Sequence, residues 1–271
     1  MTNILADIIG KKSGRLQLAK QLCPVEALRA RGVDARRQAR PHRLRAALGG
    51  REGYNIIAEV KRASPSKGLI RADVNPSGLA RSYQAGGAAA ISVLTEEDRF
   101  LGSLDDLRAV REAVAVPVLR KDFIFDEYQL YESAAAGADA LLLIVAALDD
   151  EALARLRRVT EDELEMDALV EVHTREELRR ALMAGATLVG VNNRDLHSFA
   201  VSLEVSVGLA RHAPPETLLV AESGLRSADD LRRLHSLGYR GFLIGETLMR
   251  AAEPESALRE LIGQQLTVKS E

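Results

Sequence analysis

The sequence contains a single cysteine, Cys23, among its 271 residues. One cysteine excludes an internal disulfide and a cysteine-based metal cluster. Because disulfides are typical of oxidising compartments, this composition favours a cytoplasmic location. Residues 1–10 lack a basic leader and run directly into Lys11 and Lys12, so we expect no signal peptide.

The sequence also lacks an excess of either charge and lacks a long apolar run. Its 37 basic and 39 acidic residues give a net charge of -2, which argues against a nucleic-acid partner. The basic residues between Arg29 and Arg45 have no aromatic residues among them, which favours a solvated helical face. The most apolar stretch, 138–148, contains Asp139 and is far shorter than the roughly 20 residues that span a bilayer. We interpret it as a buried strand and expect no membrane association.

A repeated pattern of apolar run, polar turn and amphipathic stretch begins after residue 50. The apolar runs are Ile56–Val60, Ala89–Leu94, Pro117–Leu119, Ala140–Val145, Ala168–Val172, Leu188–Val191, Thr217–Ala221 and Gly241–Ile244. Strands that alternate with helices indicate parallel βα units, and eight units predict an α/β fold, the (β/α)8 barrel. An open doubly wound sheet is the alternative, but no G-x-G-x-x-G turn follows the first run.

The predicted barrel occupies residues from about 54 to 265. The residues before it, 1–48, are rich in Ala, Leu, Arg and Lys and predict a helical extension. No low-complexity linker divides the chain, so we expect one domain over residues 1–271.

The first predicted strand ends with Glu59 and Lys61, two ionisable residues two positions apart. Side chains alternate between the faces of a strand, so these two side chains face the same side. Burying a carboxylate and an ammonium costs free energy unless they are paired or used in chemistry. This strand end is therefore a candidate reaction site or a structural salt bridge at the rim of a sheet.

Polar residues also follow five further predicted strands, at the end of the barrel where (β/α)8 enzymes do their chemistry. They are Lys121-Asp122-Phe123 after strand 3, Glu171-Val172-His173 after strand 5, Asn192-Asn193-Arg194-Asp195 after strand 6, Glu222-Ser223-Gly224 after strand 7 and Gly245-Glu246 after strand 8. The small residues after strands 7 and 8 each lead into a helix, where exposed N–H groups suit a phosphate. A tight turn would explain either glycine taken alone.

Several chemistries do not fit these strand ends. A Schiff-base aldolase needs a lysine at a position such as strand 6, where Asn192 and Arg194 stand instead. No H-E-x-x-H spacing is present. The three glutamates of the mouth could hold a divalent cation, but Lys61 and Lys121 in the same place favour ion pairs. We expect no metal or other cofactor, and we interpret His173 as a hydrogen-bonded rim residue.

Eight stretches of the chain, in order, resemble the indole-3-glycerol phosphate synthase family of tryptophan biosynthesis. They are IAEVKRASPSKG (57–68), SVLTEE (92–97) followed by Phe100 and Gly102, PVLRKDF (117–123), GADALLLIVAAL (137–148), LVEVH (169–173), VGVNNRDL (189–196), AESG (221–224) and LIGETLMR (243–250). The resemblance implies a carboxy-lyase that converts 1-(2-carboxyphenylamino)-1-deoxyribulose 5-phosphate into indole-3-glycerol phosphate, carbon dioxide and water.

The resemblance also implies catalytic roles. Lys121 matches the general acid that protonates the substrate carbonyl during ring closure. Glu171 matches the general base of the dehydration. Lys61 matches a residue that binds the substrate carboxylate, together with Asn192 and Arg194.

Two further residues, Glu59 and Glu222, are matched as catalytic, and the others imply substrate binding. Glu59 and Glu222 are expected to set lysine protonation and substrate position. A phosphate cradle is matched by Ser223, Gly224, Gly245 and the N–H of Glu246, whose side chain we expect to point away. An apolar pocket for the aromatic ring is matched by Pro65, Phe100, Phe123, Leu142, Leu196 and Leu243. Residues 64–68, with Ser64 and Ser66, predict a mobile loop that closes on substrate.

Two alternatives remain beside this function. The first is a phosphosugar isomerase of the same barrel type, but such enzymes use a Cys/Asp or Asp/Asp pair, and Cys23 precedes the barrel. The second is an inactive barrel that binds a phosphorylated ligand, which the fold alone would permit. The presence of Lys61, Lys121 and the glutamates at positions 59, 171 and 222 argues against an inactive barrel. In each case the partner is a small phosphorylated molecule, and we expect a monomer.

Overall fold

Eight parallel strands close into a barrel in the computed structural model, which describes residues 4–50, 53–196 and 198–263. The strands are β1 (Asn55–Val60), β2 (Ala90–Leu94), β3 (Val118–Lys121), β4 (Ala140–Ile144), β5 (Asp167–Val172), β6 (Leu188–Asn192), β7 (Leu218–Glu222) and β8 (Tyr239–Ile244). Each strand pairs with the next, and β8 pairs with β1. The predicted (β/α)8 fold is confirmed, with strand ends shifted by one or two residues: β3 continues past Leu119 to Lys121.

Twelve α-helices accompany the strands in the described part of the chain. They are α1 (Ile4–Leu22), α2 (Val25–Arg36), α3 (Arg43–Gly49), α4 (Pro76–Ala85), α5 (Leu104–Ala113), α6 (Glu127–Ala135), α7 (Asp150–Arg158), α8 (Arg175–Met183), α9 (Glu204–Ala210), α10 (Ala228–His235), α11 (Glu246–Arg250) and α12 (Pro254–Gly263). The predicted extension corresponds to α1–α3 and is interrupted at residues 23–24 and 37–42. Residues 1–3 of this prediction, and the predicted barrel end at 264–265, lie outside the described residues. Within those residues, no helix is both long and apolar enough to cross a membrane.

Side-chain caps determine where many of the outer helices begin. A polar side chain before the helix accepts a hydrogen bond from a backbone N–H of the first turn, which would otherwise lack a partner. These caps are Asn75, Ser103, Asp126, Asp149, Thr174 and Ser227.

The alternation of side chains along each strand separates an interior layer from an outer layer. On β1, Ile56 and Ala58 pack outward against the helices, whereas Ile57 packs inside the barrel. Because the period of a strand is two, Glu59 faces inward with Ile57. The polar residues at the strand ends are thereby directed into the mouth of the barrel.

The amino-terminal end of the barrel is sealed by α3 and by a cluster of charges. Leu44 and Leu48 of α3 are fully buried against the interior layer. Asp139, directly before β4, accepts hydrogen bonds from Arg43 at 2.8 Å and from Arg111 at 2.7 Å. The described residues therefore fill this end of the barrel with packed and paired side chains.

Helix α1 lies against the carboxyl end of the barrel and is held there by ion pairs. Lys12 Nζ lies 2.9 Å from Oδ1 of Asp122, and both side chains are buried. Arg15 Nη2 lies 3.0 Å from Oδ2 of Asp98, in the segment after β2. The extension is therefore part of the wall around the mouth.

Candidate active site

A cavity of about 630 Å³ opens at the carboxyl ends of the strands. The structure places every predicted site residue in its lining. These residues are Glu59, Lys61, Ser64, Pro65, Ser66, Phe100, Lys121, Phe123, Leu142, Glu171, Asn192, Arg194, Leu196, Glu222, Ser223, Gly224, Leu243, Gly245 and Glu246. The strand ends that the sequence singles out therefore converge on one space.

Lys121 lies between two glutamates at the floor of the cavity. Its Nζ is 3.0 Å from Oε2 of Glu171 and 3.1 Å from Oε2 of Glu222. The three residues come from β3, β5 and β7, alternate strands whose inward side chains share a layer in such barrels. Burial lowers the pKa of Lys121, but the charges of Glu171, Glu222 and Glu59 outweigh it and raise the pKa above its ordinary value. The Lys121 side chain is thus charged at neutral pH.

The two carboxyl groups beside Lys121 have opposite protonation tendencies. Burial raises the pKa of Glu171, but the charges of Lys121 and His173 outweigh it and lower the pKa to about 2. Burial, aided by the charge of Glu171 and opposed by Lys121, raises the pKa of Glu222 to about 7. At neutral pH Glu171 is ionised, and Glu222 holds a proton part of the time.

Lys61 and Glu59 form a second ion pair in the cavity lining. Lys61 Nζ donates a hydrogen bond to Oε1 of Glu59. A β-carbon on Gly245 would overlap this carboxylate oxygen and lie 3.0 Å from Lys61 Nζ. The sequence favours a ligand as the reason for this glycine; in the structure, a side chain here would also displace the ends of the Glu59–Lys61 pair.

The loop after β1 is connected to the end of β6 across the mouth. Its ends, Ala63–Ser64 and Gly68–Leu69, form a short antiparallel ladder. Arg194 Nη1 donates a hydrogen bond to Oγ of Ser66 at 3.1 Å. Asn192 Oδ1 accepts a hydrogen bond from the backbone N–H of Arg194 at 3.0 Å. The predicted mobility of this loop stays a prediction.

The segments after β7 and β8 line one side of the cavity. Ser223 and Gly224 have positive φ angles of 65° and 81°. Glu246 Oε1 lies 3.1 Å from Nε of Arg250 and 3.7 Å from Nζ of Lys67. The Glu246 side chain thus contacts its own helix and the loop after β1, and the role of its N–H stays a prediction.

The apolar side of the cavity includes residues that sequence reasoning missed. The rings of Phe100 and Phe123 lie 6.2 Å apart between centroids. Ile4, Leu5 and Ile8 of α1 also line the cavity. The spacing of Ile4 and Ile8, one helical turn apart, was the available signal, but nothing in the sequence places α1 over the mouth.

Other residues missed by the sequence analysis are cations at the rim. Arg226 follows β7 and Arg250 lies on α11, and both line the cavity. Among the described residues, no group of three or more His, Cys, Asp or Glu side chains is arranged to hold a metal ion. The acidic side chains of the mouth are paired with lysines instead.

The barrel and its charged mouth define this protein as a (β/α)8-barrel enzyme. A family model described as indole-3-glycerol phosphate synthase matches residues 5–261, and the chain belongs to this family. The relative of that name from Carboxydothermus hydrogenoformans is 45% identical over 95% of this chain and 99% of its own length. The one from Nocardioides sp. is 49% identical over 96% of this chain and 98% of its own. These matches confirm the resemblance seen in the motifs.

Similar solved structures support the fold alone. A thiamine phosphate pyrophosphorylase from Pyrococcus furiosus superposes with a TM-score of 0.58 and 17% identity. It covers 80% of this chain and 95% of its own. At this identity the likeness extends to the barrel and not to its chemistry.

Proposed function

We propose that the chain is a carboxy-lyase that forms indole-3-glycerol phosphate from 1-(2-carboxyphenylamino)-1-deoxyribulose 5-phosphate in tryptophan biosynthesis. The observation that carries this proposal is the position of Lys121 between Glu171 and Glu222 at the floor of the cavity. A donor and an ionised base in contact suit a reaction that protonates one atom and deprotonates another. The alternatives, an isomerase and an inactive barrel, are not favoured by the family match.

Lys121 acts first, as the acid of ring closure. The ring carbon that bears the carboxylate attacks the carbonyl carbon of the sugar chain, and Lys121 Nζ gives a proton to the carbonyl oxygen. The raised pKa of Lys121 supports this role because the group is charged when substrate arrives. Before the proton is transferred, the ammonium charge of Lys121 also stabilises the negative charge that develops on the oxygen.

Lys61, Arg194 and Asn192 hold the carboxylate of the aromatic ring. Both cations line the same cavity, and Glu59 fixes the position of the Lys61 ammonium. When the carboxylate leaves as carbon dioxide, the electrons of the broken bond restore the aromatic ring. Fixing the carboxylate before this step contributes to the rate through orientation.

Glu171 acts in the dehydration that completes the indole. Lys121 protonates the hydroxyl that leaves as water, and Glu171 removes the proton from the adjacent carbon. The low pKa of Glu171 supports a base that is ionised before each turnover. Glu222 holds Lys121 in place from the other side.

The phosphate of the substrate lies at the segments after β7 and β8. Backbone N–H groups of Ser223, Gly224, Gly245 and Glu246 bind it, and Arg250 adds a positive charge at the rim. The aromatic ring lies against Pro65, Phe100, Phe123, Leu142, Leu196 and Leu243. We also propose that the protein acts in the cytoplasm, as its single cysteine supports, and as a monomer.

The test is the fluorescence of the indole-3-glycerol phosphate formed from the carboxyphenylamino-deoxyribulose phosphate. We expect turnover by the wild type and a loss of about 10²-fold or more in Lys121→Ala. Lys20→Ala, on the exposed part of α1, is the control and should keep full activity.

Three results would contradict parts of the proposal. Activity of Lys121→Ala near the wild-type rate would remove Lys121 from the mechanism and leave the reaction intact. A folded wild type that forms no indole-3-glycerol phosphate but isomerises a phosphosugar would favour the isomerase. A wild type that binds the product and catalyses neither reaction would be an inactive barrel.

A further inference from the structure

The proposed reaction takes two protons from Lys121 in each turnover. Lys121 Nζ gives one proton to the carbonyl oxygen during ring closure and a second to the hydroxyl group that leaves as water. The loss of carbon dioxide lies between these steps and supplies no proton, because the electrons of the broken bond stay on the ring. The neutral amine of Lys121 must therefore regain a proton while the intermediate still occupies the site.

A bound intermediate lies between Lys121 and solvent. The Lys121 side chain is only 14% exposed, at the floor of the cavity that would hold the substrate. A filled active site also excludes the water that would carry a proton. An acid in direct contact with Nζ would supply the second proton without solvent.

Two carboxyl groups share the single ammonium of Lys121. Its Nζ lies 3.0 Å from Oε2 of Glu171 and 3.1 Å from Oε2 of Glu222, and both carboxyl groups are buried. Two buried carboxylates beside one cation leave an excess of negative charge, which favours a proton on one of the two. The surroundings of each carboxyl group decide which of them carries it.

A second basic group lies beside Glu171. Oε1 of Glu171 lies 3.4 Å from Nε2 of His173, and Nδ1 of His173 lies 3.1 Å from Oε2 of Glu177 on α8. In the described part of the chain, the ion pair of Glu222 is with Lys121 alone. Oε1 of Glu222 is buried and has no hydrogen-bond partner among the described residues. The excess proton therefore belongs on Oε1 of Glu222, since Oε2 faces the ammonium.

The strands on either side of β7 add no charge next to Glu222. Its neighbours in the sheet are Asn192 of β6 and Leu243 of β8. The other charged pair of the cavity, Glu59 and Lys61 at the end of β1, is internally neutral. The protonation of Glu222 thus depends on burial and on the groups that surround Lys121.

The pKa values agree with this distribution of charge. Burial raises the pKa of Glu222, Lys121 opposes the rise, and the charge of Glu171 adds to it, so that the pKa is about 7. Burial raises the pKa of Glu171 too, but Lys121 and His173 outweigh it and lower the pKa to about 2. Of the two acids in contact with Nζ, Glu222 is the one that holds a proton near neutral pH.

We propose that Glu222 is a proton reservoir that reprotonates Lys121 between ring closure and dehydration. This inference rests on the proposed function, because only that reaction takes two protons from Lys121. A half-turn of the carboxyl group about its Cγ–Cδ bond exchanges its two oxygens and turns the O–H toward Nζ. The O–H bond of Glu222 then breaks, an N–H bond forms on Nζ, and the ammonium is restored beside an ionised Glu222.

The protons of the whole cycle balance with this step. After Lys121 has given its second proton to the leaving hydroxyl, Glu171 returns to Nζ, 3.0 Å away, the proton that it takes from carbon. Glu222 ends the cycle ionised, and because it lines the cavity it regains a proton from solvent when the product leaves. One proton is thus consumed in each turnover, as the loss of the substrate carboxylate as neutral carbon dioxide requires.

The test follows one turnover, with enzyme in excess over substrate, by two signals that separate the two donations of Lys121. Carbon dioxide leaves after the first donation, and rapid quench measures it from substrate with a labelled carboxylate. The fluorescence of indole-3-glycerol phosphate appears after the second donation and is followed by stopped flow. At pH 9 Glu222 is ionised before substrate binds. We expect the ratio of the carbon dioxide rate to the fluorescence rate to be several-fold larger in the wild type at pH 9 than at pH 6.

Glu222→Gln keeps the size of the side chain and an oxygen for Lys121 but has no acidic proton. We expect this variant to release carbon dioxide within about threefold of the wild-type rate and to develop fluorescence about tenfold more slowly or worse, already at pH 6. Glu216→Gln, at an exposed position, is the control and should match the wild type at both pH values. If Glu222→Gln does not fold, the two pH values of the wild type still decide the question.

Two outcomes would overturn the reservoir alone. Equal slowing of both signals in a folded Glu222→Gln would show that Glu222 only positions Lys121. A ratio that does not change with pH in the wild type, or a variant with the wild-type ratio, would show that the second proton comes from elsewhere. A folded wild type that releases no carbon dioxide and forms no indole-3-glycerol phosphate would instead overturn the proposed function, and the reservoir with it.

Discussion

Gly190 of β6 lies directly against the side chain of Glu222 on the neighbouring strand β7. A β-carbon at position 190 would overlap Oε1 of Glu222 and lie 3.3 Å from Cδ1 of Leu169. The φ angle of Gly190 lies outside the left-handed region, so the glycine is required for space and not for backbone conformation. Because Gly190 has no side chain, the carboxylate of Glu222 has room to lie beside Lys121.

We predict that Gly190→Ala displaces Glu222 from Lys121 and lowers kcat by about 10²-fold, because small misplacements of catalytic groups have effects of that size. The added methyl group should also reduce the free energy of unfolding by about 1–3 kcal/mol. Steady-state kinetics and denaturant unfolding would measure the two effects.

The control for this substitution is Gly208→Ala on α9, where a β-carbon has no heavy atom within 4 Å. This variant should keep its activity and gain about 0.5–1 kcal/mol of stability from the better helix former. Unchanged kcat in Gly190→Ala would mean that Glu222 tolerates a different position.

The stability of the protein should depend on pH through Glu222. Its pKa is about 7 in the folded protein against an ordinary value of 4.5. The folded state holds this proton more tightly, so the stabilisation is complete below about pH 4.5 and is lost as the pH rises to 7. We predict that the wild type loses on the order of 3 kcal/mol relative to Glu222→Gln across this window.

Urea unfolding at several pH values between 4 and 8 would measure this difference. Glu216→Gln, at an exposed position, is the control and should give a curve parallel to the wild type. Parallel curves for the wild type and Glu222→Gln would contradict the raised pKa.

Lys12→Met tests the attachment of α1 to the mouth. Asp122 would lose Lys12 but keep Arg120 at 3.0 Å and the hydroxyl of Thr95 at 2.6 Å. Because these partners remain, we predict a loss of only about 1–3 kcal/mol in stability. The apolar end of α1 should leave the cavity more often, so KM should rise several-fold while kcat changes less.

The control here is Lys11→Met, whose ammonium is half exposed and lies 3.6 Å from Asp7. Exposed ion pairs contribute little, so its stability should change by less than about 1 kcal/mol. An equal loss of stability in both variants would show that the buried pair has no special role.

The barrel could be predicted from the sequence because its signal is local. Each apolar run is bounded by polar turns, and the alternation of Ile57 and Glu59 on one face already directs the charge into the mouth. The polar site residues follow from the same rule, since each stands at the end of a predicted strand. The family motifs then give their expected roles.

The contacts of α1 could not be predicted in this way. Lys12 and Asp122 are far apart in the chain, and no periodicity relates two residues that meet only after the barrel has closed. The need for glycine at 190 and 245 was hidden for a similar reason, because it depends on the rotamers of Glu222 and Glu59 on neighbouring strands. The contact between His173 and Glu177 has the four-residue spacing of a local pair and could have been found.

The cluster around Asp139 lies at the opposite end of the strands from Lys121. Strand β4 contributes five residues between the two ends, or about 17 Å at the usual rise per residue. Free-energy changes at sites this far apart are usually additive. Substitutions around Arg43 and Arg111 should therefore change the thermal stability of the protein without altering its turnover. The amino-terminal end of the barrel is thus the part to engineer for a more heat-stable enzyme.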